Sequence, residues 1–330
     1  MSFQDLPDLA VRTVGGSVIA ANDETFAERE NLIKAGPAGY SCATFGNKGQ
    51  VYDGWETRRR RTEGHDWAVI RLGMPGEIRG VVIDTAHFKG NYPPFATVEA
   101  CAAEGHPGPA ELTGWVEIVP RSGLNGDGEN PFPVEVPGRF THVRLNIFPD
   151  GGVARLRVHG SPVADPRLLT AGLPVDLAAL ENGAVVDGCS NMFYSSPSNL
   201  IAPGQAEVMG AGWETARRRD TANDWVTVRL CAPGTVRIAE LDTTHFVGNA
   251  PGWATLGGEV EGAWVPLLAR TALQPDTRHR FVLPSGPKVA RVRLDVFPDG
   301  GMARLRLYGK LSKPGRRLLI DRFEALTGTS

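Results

Sequence analysis

The chain has 330 residues, 42% hydrophobic and 22% charged, with a formal net charge of −2. This supplies apolar material for two cores and argues against nucleic acid or an anionic membrane as the main partner. Four scattered cysteines, Cys42, Cys101, Cys189 and Cys231, form no C-x-x-C pair, so neither a disulfide framework nor a zinc site is indicated. No apolar run approaches membrane-spanning length, and the opening MSFQDLPDLAVR carries acids where a signal peptide needs basic and then apolar residues. A reducing cytoplasm is the expected compartment.

The abundance of Gly (40) and Pro (25) suits short strands joined by turns. In chain order, GWETRRRR (Gly54–Arg61) precedes DWAVIRL (Asp66–Leu72), whose alternation predicts a half-buried strand. The continuous apolar run RGVVIDTAHF turns polar at its end, as a buried strand does on reaching a rim. HVRLNIF (His142–Phe148) alternates again, and FPDGGVARLRVHG (Phe148–Gly160) reads as a tight turn entering a last strand. Ser161–Pro174 reads as a linker, and helix-like periodicity is confined to short pieces such as Pro174–Leu180.

The order then repeats. Asp8-Leu9-Ala10 matches Asp176-Leu177-Ala178, Gly54-Trp55-Glu56-Thr57 matches Gly212-Trp213-Glu214-Thr215, and the FPDGG turn returns at Phe297. Between Phe140–Gly160 and Val289–Gly309, 13 of 21 positions are identical, too many for shared composition to explain. The offsets shrink along the chain, so the first copy carries longer loops within Lys34–Asp53 and Glu104–Asn130. The prediction is an all-β protein of two tandem sandwiches: residues 1–160, a linker at 161–175, and residues 176–330 with a C-terminal tail. A propeller or solenoid would need more and shorter repeats.

Three repeated blocks carry polar residues suited to chemistry. In GWETRRRR, Glu56 could orient the guanidinium of Arg59 or Arg60 and leave a face for an anion; the alternative is a solvated edge strand. DTAHFKGN (Asp84–Asn91) pairs with DTTHFVGN (Asp242–Asn249). A carboxylate and an imidazole at the rim end of a buried strand are acid–base candidates: Asp84 with His87, and Asp242 with His245. Joint action requires a bend after Asp84, since in a regular strand the two would face opposite sides. The alternative is that Asp84 caps a turn and His87 packs on Phe88. Past the late turn, Arg155 either forks a carboxylate at the rim or studs a strand edge with Arg157; Arg304 repeats it. No histidine pattern marks a metal site, no G-x-S-x-G marks a nucleophile, and Cys42 has no nearby histidine in sequence.

These blocks, GWETRRRR, DWAVIRL, DTAHFKGN and FPDGGVARLRVHG with their second-copy partners, resemble the allantoicase family over nearly the whole chain. The resemblance implies two related jelly-roll β-sandwiches of the galactose-binding-like type, assembled into homo-oligomers. It also implies hydrolysis of allantoate to ureidoglycolate and urea in purine (allantoin) degradation. Breaking the bond from the central carbon to a ureido nitrogen needs a general acid and a general base, and no redox cofactor. Assistance by a divalent ion is left open. On this reading arginine holds the substrate carboxylate while Asn91 and Glu56 bond the ureido groups. The full set of substrate-binding candidates is Glu56, Arg59, Arg60, Lys89, Asn91 and Arg155, with Glu214, Asn249 and Arg304 in the second copy. Lys89 becomes Val247 and Arg58 becomes Ala216, so the two rims are chemically unequal. The rival reading is a non-enzymatic tandem module that binds small molecules or carbohydrates.

Overall fold

A computed structural model describes residues 2–40, 44–46, 49–50 and 52–328. Cys42 lies outside them. The chain divides between Val163 and Ala164 into two compact units, the C-terminal Leu326–Gly328 belonging with the first.

In the first unit the strand Asp66–Asp84 is 19 residues long and serves both layers of a sandwich. Its first part pairs with Ser17–Ala21 on one side and Phe140–Phe148 on the other. Phe95–Cys101 and Val116–Gly123 extend that layer to five antiparallel strands. Its second part lies between Glu129–Pro133 and Arg155–Pro162 in a three-stranded layer. Pro75-Gly76, a pair common in turns, is where one continuous strand passes between layers. Proline cannot donate to a ladder, and the pairing with Phe140–Phe148 breaks its register between Arg71 and Gly76. Glycine follows because the returning strand crosses closely: a Cβ on Gly76 would stand 2.4 Å from the Ser161 carbonyl. Ala68, Ile70, Val81, Ile83, Val143, Leu145, Leu156 and Val158 fill the core with no exposed surface.

The second unit repeats this plan around Asp224–Asp242. Its five-stranded layer adds Val185–Cys189, Val289–Phe297, Trp253–Val260 and Ala263–Ala272. The other layer joins Arg278–Val282, Arg304–Leu311 and the short Val175–Asp176. The architecture is two tandem all-β jelly-roll sandwiches.

The helix-like stretch Pro174–Leu180 is not a helix: it holds the strand Val175–Asp176 and only the first residue of a 3-10 turn, Leu180–Asn182. Its apolar spacing serves two different elements. The chain instead ends in a 15-residue helix, Lys313–Thr327, hidden in the sequence by Pro314-Gly315. Proline is tolerated in a first helical turn, and Gly315 lets the helix approach the Pro233 carbonyl, 2.3 Å from where a Cβ would sit. Among the described residues no helix is long and apolar enough to cross a membrane.

Candidate functional site

The doubled FPDGG turn is a clamp. The Asp150 carboxylate accepts the Arg60 backbone N–H at 2.7 Å, and the Gly151 carbonyl accepts the Thr57 N–H. The Gly152 N–H donates to the Asn91 carbonyl at 2.7 Å. Gly152 also packs flat on Phe88, which a Cβ would meet at 2.0 Å. Asp299, Gly300 and Gly301 hold Arg218, Thr215 and Asn249 in the same way. One reversal therefore fixes both the GWET and the HF-x-GN segments.

Arg155 does not reach toward substrate. Only 2% of its side chain is exposed, and all five N–H donors are spent inside the unit. Nη1 donates to the carbonyls of Asp53 and Ala154 at 2.8 Å each. Nη2 donates to Asp53 Oδ2 at 2.7 Å and to the Pro37 carbonyl at 3.3 Å, and Nε donates to the Gly36 carbonyl at 3.4 Å. The carboxylate it binds is Asp53, through Oδ2, and its effect is to pin both ends of the first copy's long loop. Burial raises the Asp53 carboxyl, but Arg155, the Gly39 N–H and Lys34 outweigh it and hold the pKa down to about 2. Arg304 is buried likewise, on the carbonyls of Gly204, Ala211 and Ala303. Where the first copy has Asp53 the second has Ala211. Burial and the neighbouring Arg306 accordingly press the Arg304 pKa down to about 10.

Asp84 and His87 are not a bonded pair. The Asp84 carboxylate accepts the Ala86 N–H at 2.8 Å, capping the turn as one of the sequence readings allowed. Asp84 and Arg155 border a cavity of about 500 Å³ shared with Asp8, Arg157, Glu129 and His159. Asp242 caps Thr244 in the same manner. The bend after Asp84 does form, and His87 sits in the left-handed region at φ 70°, its N–H held by Asp127 Oδ1 at 2.8 Å. Its ring leaves Asp84 and stacks on Tyr40 at 5.2 Å, with Nε2 3.1 Å from the Ala38 carbonyl. A carbonyl can only accept, so Nε2 carries hydrogen and Nδ1 is the nitrogen left facing away from that contact. His245 repeats the backbone strain and the Nε2 contact, at 2.9 Å from the Ala206 carbonyl.

Glu56 does not orient an arginine. Its Oε1 accepts the Asn91 amide at 2.6 Å, and Oε2 has no partner among the described residues. Burial pushes its carboxyl above the ordinary range, only partly offset by Asn91. Tyr52 adjoins it: burial and the Glu56 charge push that phenol upward, and its ring stacks on Phe88 at 5.3 Å. Tyr40 lies 6.4 Å from Tyr52, ring to ring, so Glu56, Asn91, Tyr52, Tyr40 and His87 form a contiguous set on the first rim. Lys89 stands beside them, exposed, with Nζ 3.7 Å from Asp127. Arg59 is exposed with no partner among the described residues, whereas Arg60 is committed through Nη1 to the buried Asp66 at 2.5 Å. Among the described residues no three His, Cys, Asp or Glu side chains gather in a group suited to a metal ion.

The second rim keeps the Glu214–Asn249 bond, at 2.5 Å. It has no counterpart of Tyr40 or Tyr52, and Val247 replaces Lys89. Tyr40, Tyr52 and Asp127 escaped sequence reasoning. The available signal was that all three lie in the two segments where only the first copy is long.

The allantoicase-repeat family model matches residues 7–163 and 175–312, one copy on each unit. A Nocardia farcinica protein named "Probable allantoicase" is 57% identical over 315 residues, 94% of this chain and 95% of that protein. A namesake from Streptomyces avermitilis is 49% identical, over 99% of this chain and 91% of its own. The crystal structure of allantoicase from Saccharomyces cerevisiae superposes with a TM-score of 0.81 at 35% identity, covering 92% of this chain and 93% of that one. With both repeats matched and relatives aligned over nearly their full lengths, the chain belongs to the allantoicase family.

Proposed function

We propose that this protein hydrolyses allantoate to ureidoglycolate and urea in purine (allantoin) degradation, and that the rim of the first unit does the work. The observation that carries the siting is the Glu56–Asn91 pair beside His87, walled by two tyrosines found only in that copy. Glu56, made more basic by burial, takes a proton from water as the oxygen attacks the central carbon. The bond from that carbon to one ureido nitrogen breaks, and His87 Nδ1–H protonates the departing nitrogen, completing urea. The Nε2–H donates to the Ala38 carbonyl and fixes the ring. Asn91 holds Glu56 and offers its remaining polar atoms to a ureido group. Lys89 supplies the charge for the substrate carboxylate, the role that buried Arg155 cannot take. These steps use the chain's own groups and call for no cofactor.

A tandem binding module is not the favoured reading, given the family to which the chain belongs. The proposal extends to a homo-oligomer in the reducing cytoplasm, where thiols such as Cys101 and Cys231 persist. Support for assembly comes from the second rim, which exposes Met192, Phe193, Tyr194, Val208 and Val247 around the Glu214–Asn249 pair. Purified protein incubated with allantoate should release urea and ureidoglycolate in equal amounts; well-folded protein that releases no urea refutes the assignment.

A further inference from the structure

The two copies treat one arginine differently. In the second unit Arg218 is fully engaged: Nη1 donates to Asp224 Oδ1 at 2.7 Å, while Nε and Nη2 fork the Asp220 carboxylate at 2.9 and 3.0 Å. In the first unit Arg60 is held identically at its backbone, by Asp150 in place of Asp299, and its Nη1 binds Asp66 as Arg218 binds Asp224. The residue matching Asp220 is Thr62, which cannot supply the carboxylate. The Arg60 Nε–Nη2 edge has no partner among the described residues, and Nε is a buried donor without an acceptor there. A buried donor without an acceptor carries a desolvation penalty, so a filler is favoured.

The surroundings suit an anion. Arg60 borders a pocket of about 380 Å³ with Arg58, Arg59, Arg61, Asn22 and Asp23. Asp23 is taken by Arg58 and Asp66 by Arg60, and among the described residues Arg59 and Arg61 have no ion-pair partner. The covering turn, residues 61–64, is exposed, and Gly64 is so close that a Cβ there would stand 2.9 Å from Nη2. We infer that the Arg60 edge is a binding site for a small carboxylate, and that Asp220 is its built-in substitute in the second unit. A carboxylate enters from the pocket onto Nη2 and completes the two-point fork onto Nε as residues 61–64 lift, reproducing the Arg218–Asp220 geometry.

The test exchanges the two copies' solutions, in the full chain. Thr62 is exposed, so Thr62→Asp adds the missing carboxylate without disturbing the core. Glycolate, which has a carboxylate but no ureido group, is titrated against chloride at matched ionic strength while thermal unfolding is followed. Wild type should be stabilised saturably by glycolate. Thr62→Asp should weaken that binding about 10- to 100-fold. Asp220→Thr should create a second site and enlarge the shift. No saturable glycolate effect in wild type, or undiminished binding in Thr62→Asp, overturns the inference, and neither readout depends on turnover. Allantoate kinetics then identify the source of the carboxylate. A raised KM with preserved kcat in Thr62→Asp means the site holds the substrate's own carboxylate. An unchanged KM with lost glycolate binding means it holds a separate small acid.

Discussion

Replacing Arg155 by Met separates a buried strut from a substrate contact. The change removes five donors and, among the described residues, leaves the Asp53 carboxylate with Lys34 and the Gly39 N–H. Removing one partner of a buried ion pair costs about 3–5 kcal/mol, and Asp53 keeps some solvent and two other partners, so the lower end applies: about 3 kcal/mol. For a unit of this size each kcal/mol shifts the unfolding midpoint by about 2–4 °C, giving a fall of about 6–12 °C. Arg304→Met should cost less, because no carboxylate is left behind in the second copy. Calorimetry on both variants, run beside allantoate kinetics, gives the decision. A midpoint unchanged in Arg155→Met, with kcat/KM down 100-fold, would mean that the guanidinium leaves its cage to hold substrate. That result would refute the reasoning.

The remaining expectations concern the rim. Glu56→Gln should abolish turnover, and the acid limb of kcat/KM should lie above the ordinary glutamate range. Asn91→Ala removes the bond that lowers the Glu56 pKa, so that limb should move to higher pH; a shift to lower pH contradicts Glu56 as the base. His87→Asn should lower kcat by roughly 10²–10⁴, whereas His245→Asn should leave most activity; equal losses would overturn the siting on the first rim. Asp53 has a depressed pKa, so its contribution to stability is present above about pH 3.8 and is lost as pH falls toward 2. That loss is about 2 kcal/mol, and an Asp53→Asn variant should lack this part of the acid dependence in thermal melts.

What could be read beforehand and what could not divides along a physical line. Alternation, turns and duplication report local backbone preference, so the tandem sandwiches and the fixed GWET and HF-x-GN segments were visible in the letters. The partners of polar side chains are set by tertiary approach. Arg155 and Arg60 look alike in sequence, both beside a conspicuous motif. Only the fold shows that one is wrapped by the loop ends at Gly36, Pro37 and Asp53, while the other keeps an unpaired edge. Glu56 illustrates the same limit, since nothing local reveals that Asn91, 35 residues on, is its partner rather than the adjacent arginines. The C-terminal helix stayed hidden for the opposite reason: its Pro-Gly start imitates a turn, and the Gly is there to approach Pro233.

Duplication explains why the repeated letters could not tell the two rims apart. A residue needed to build the sandwich appears in both copies, as the Asp of FPDGG and the capping Asp84 and Asp242 do. A residue needed for one rim's chemistry is free to drift in the other. The informative positions are therefore the unequal ones: Lys89 against Val247, Asp53 against Ala211, Thr62 against Asp220, and Tyr40 and Tyr52 against nothing. Each difference leaves the first rim more polar, more aromatic or more cationic. On the second rim Val247 and Ala211 remove a charge, the two tyrosine rings are missing, and Asp220 closes Arg218 with an internal carboxylate. On the proposed reading the first unit keeps the Arg60 edge for a ligand, while the second satisfies Arg218 from within.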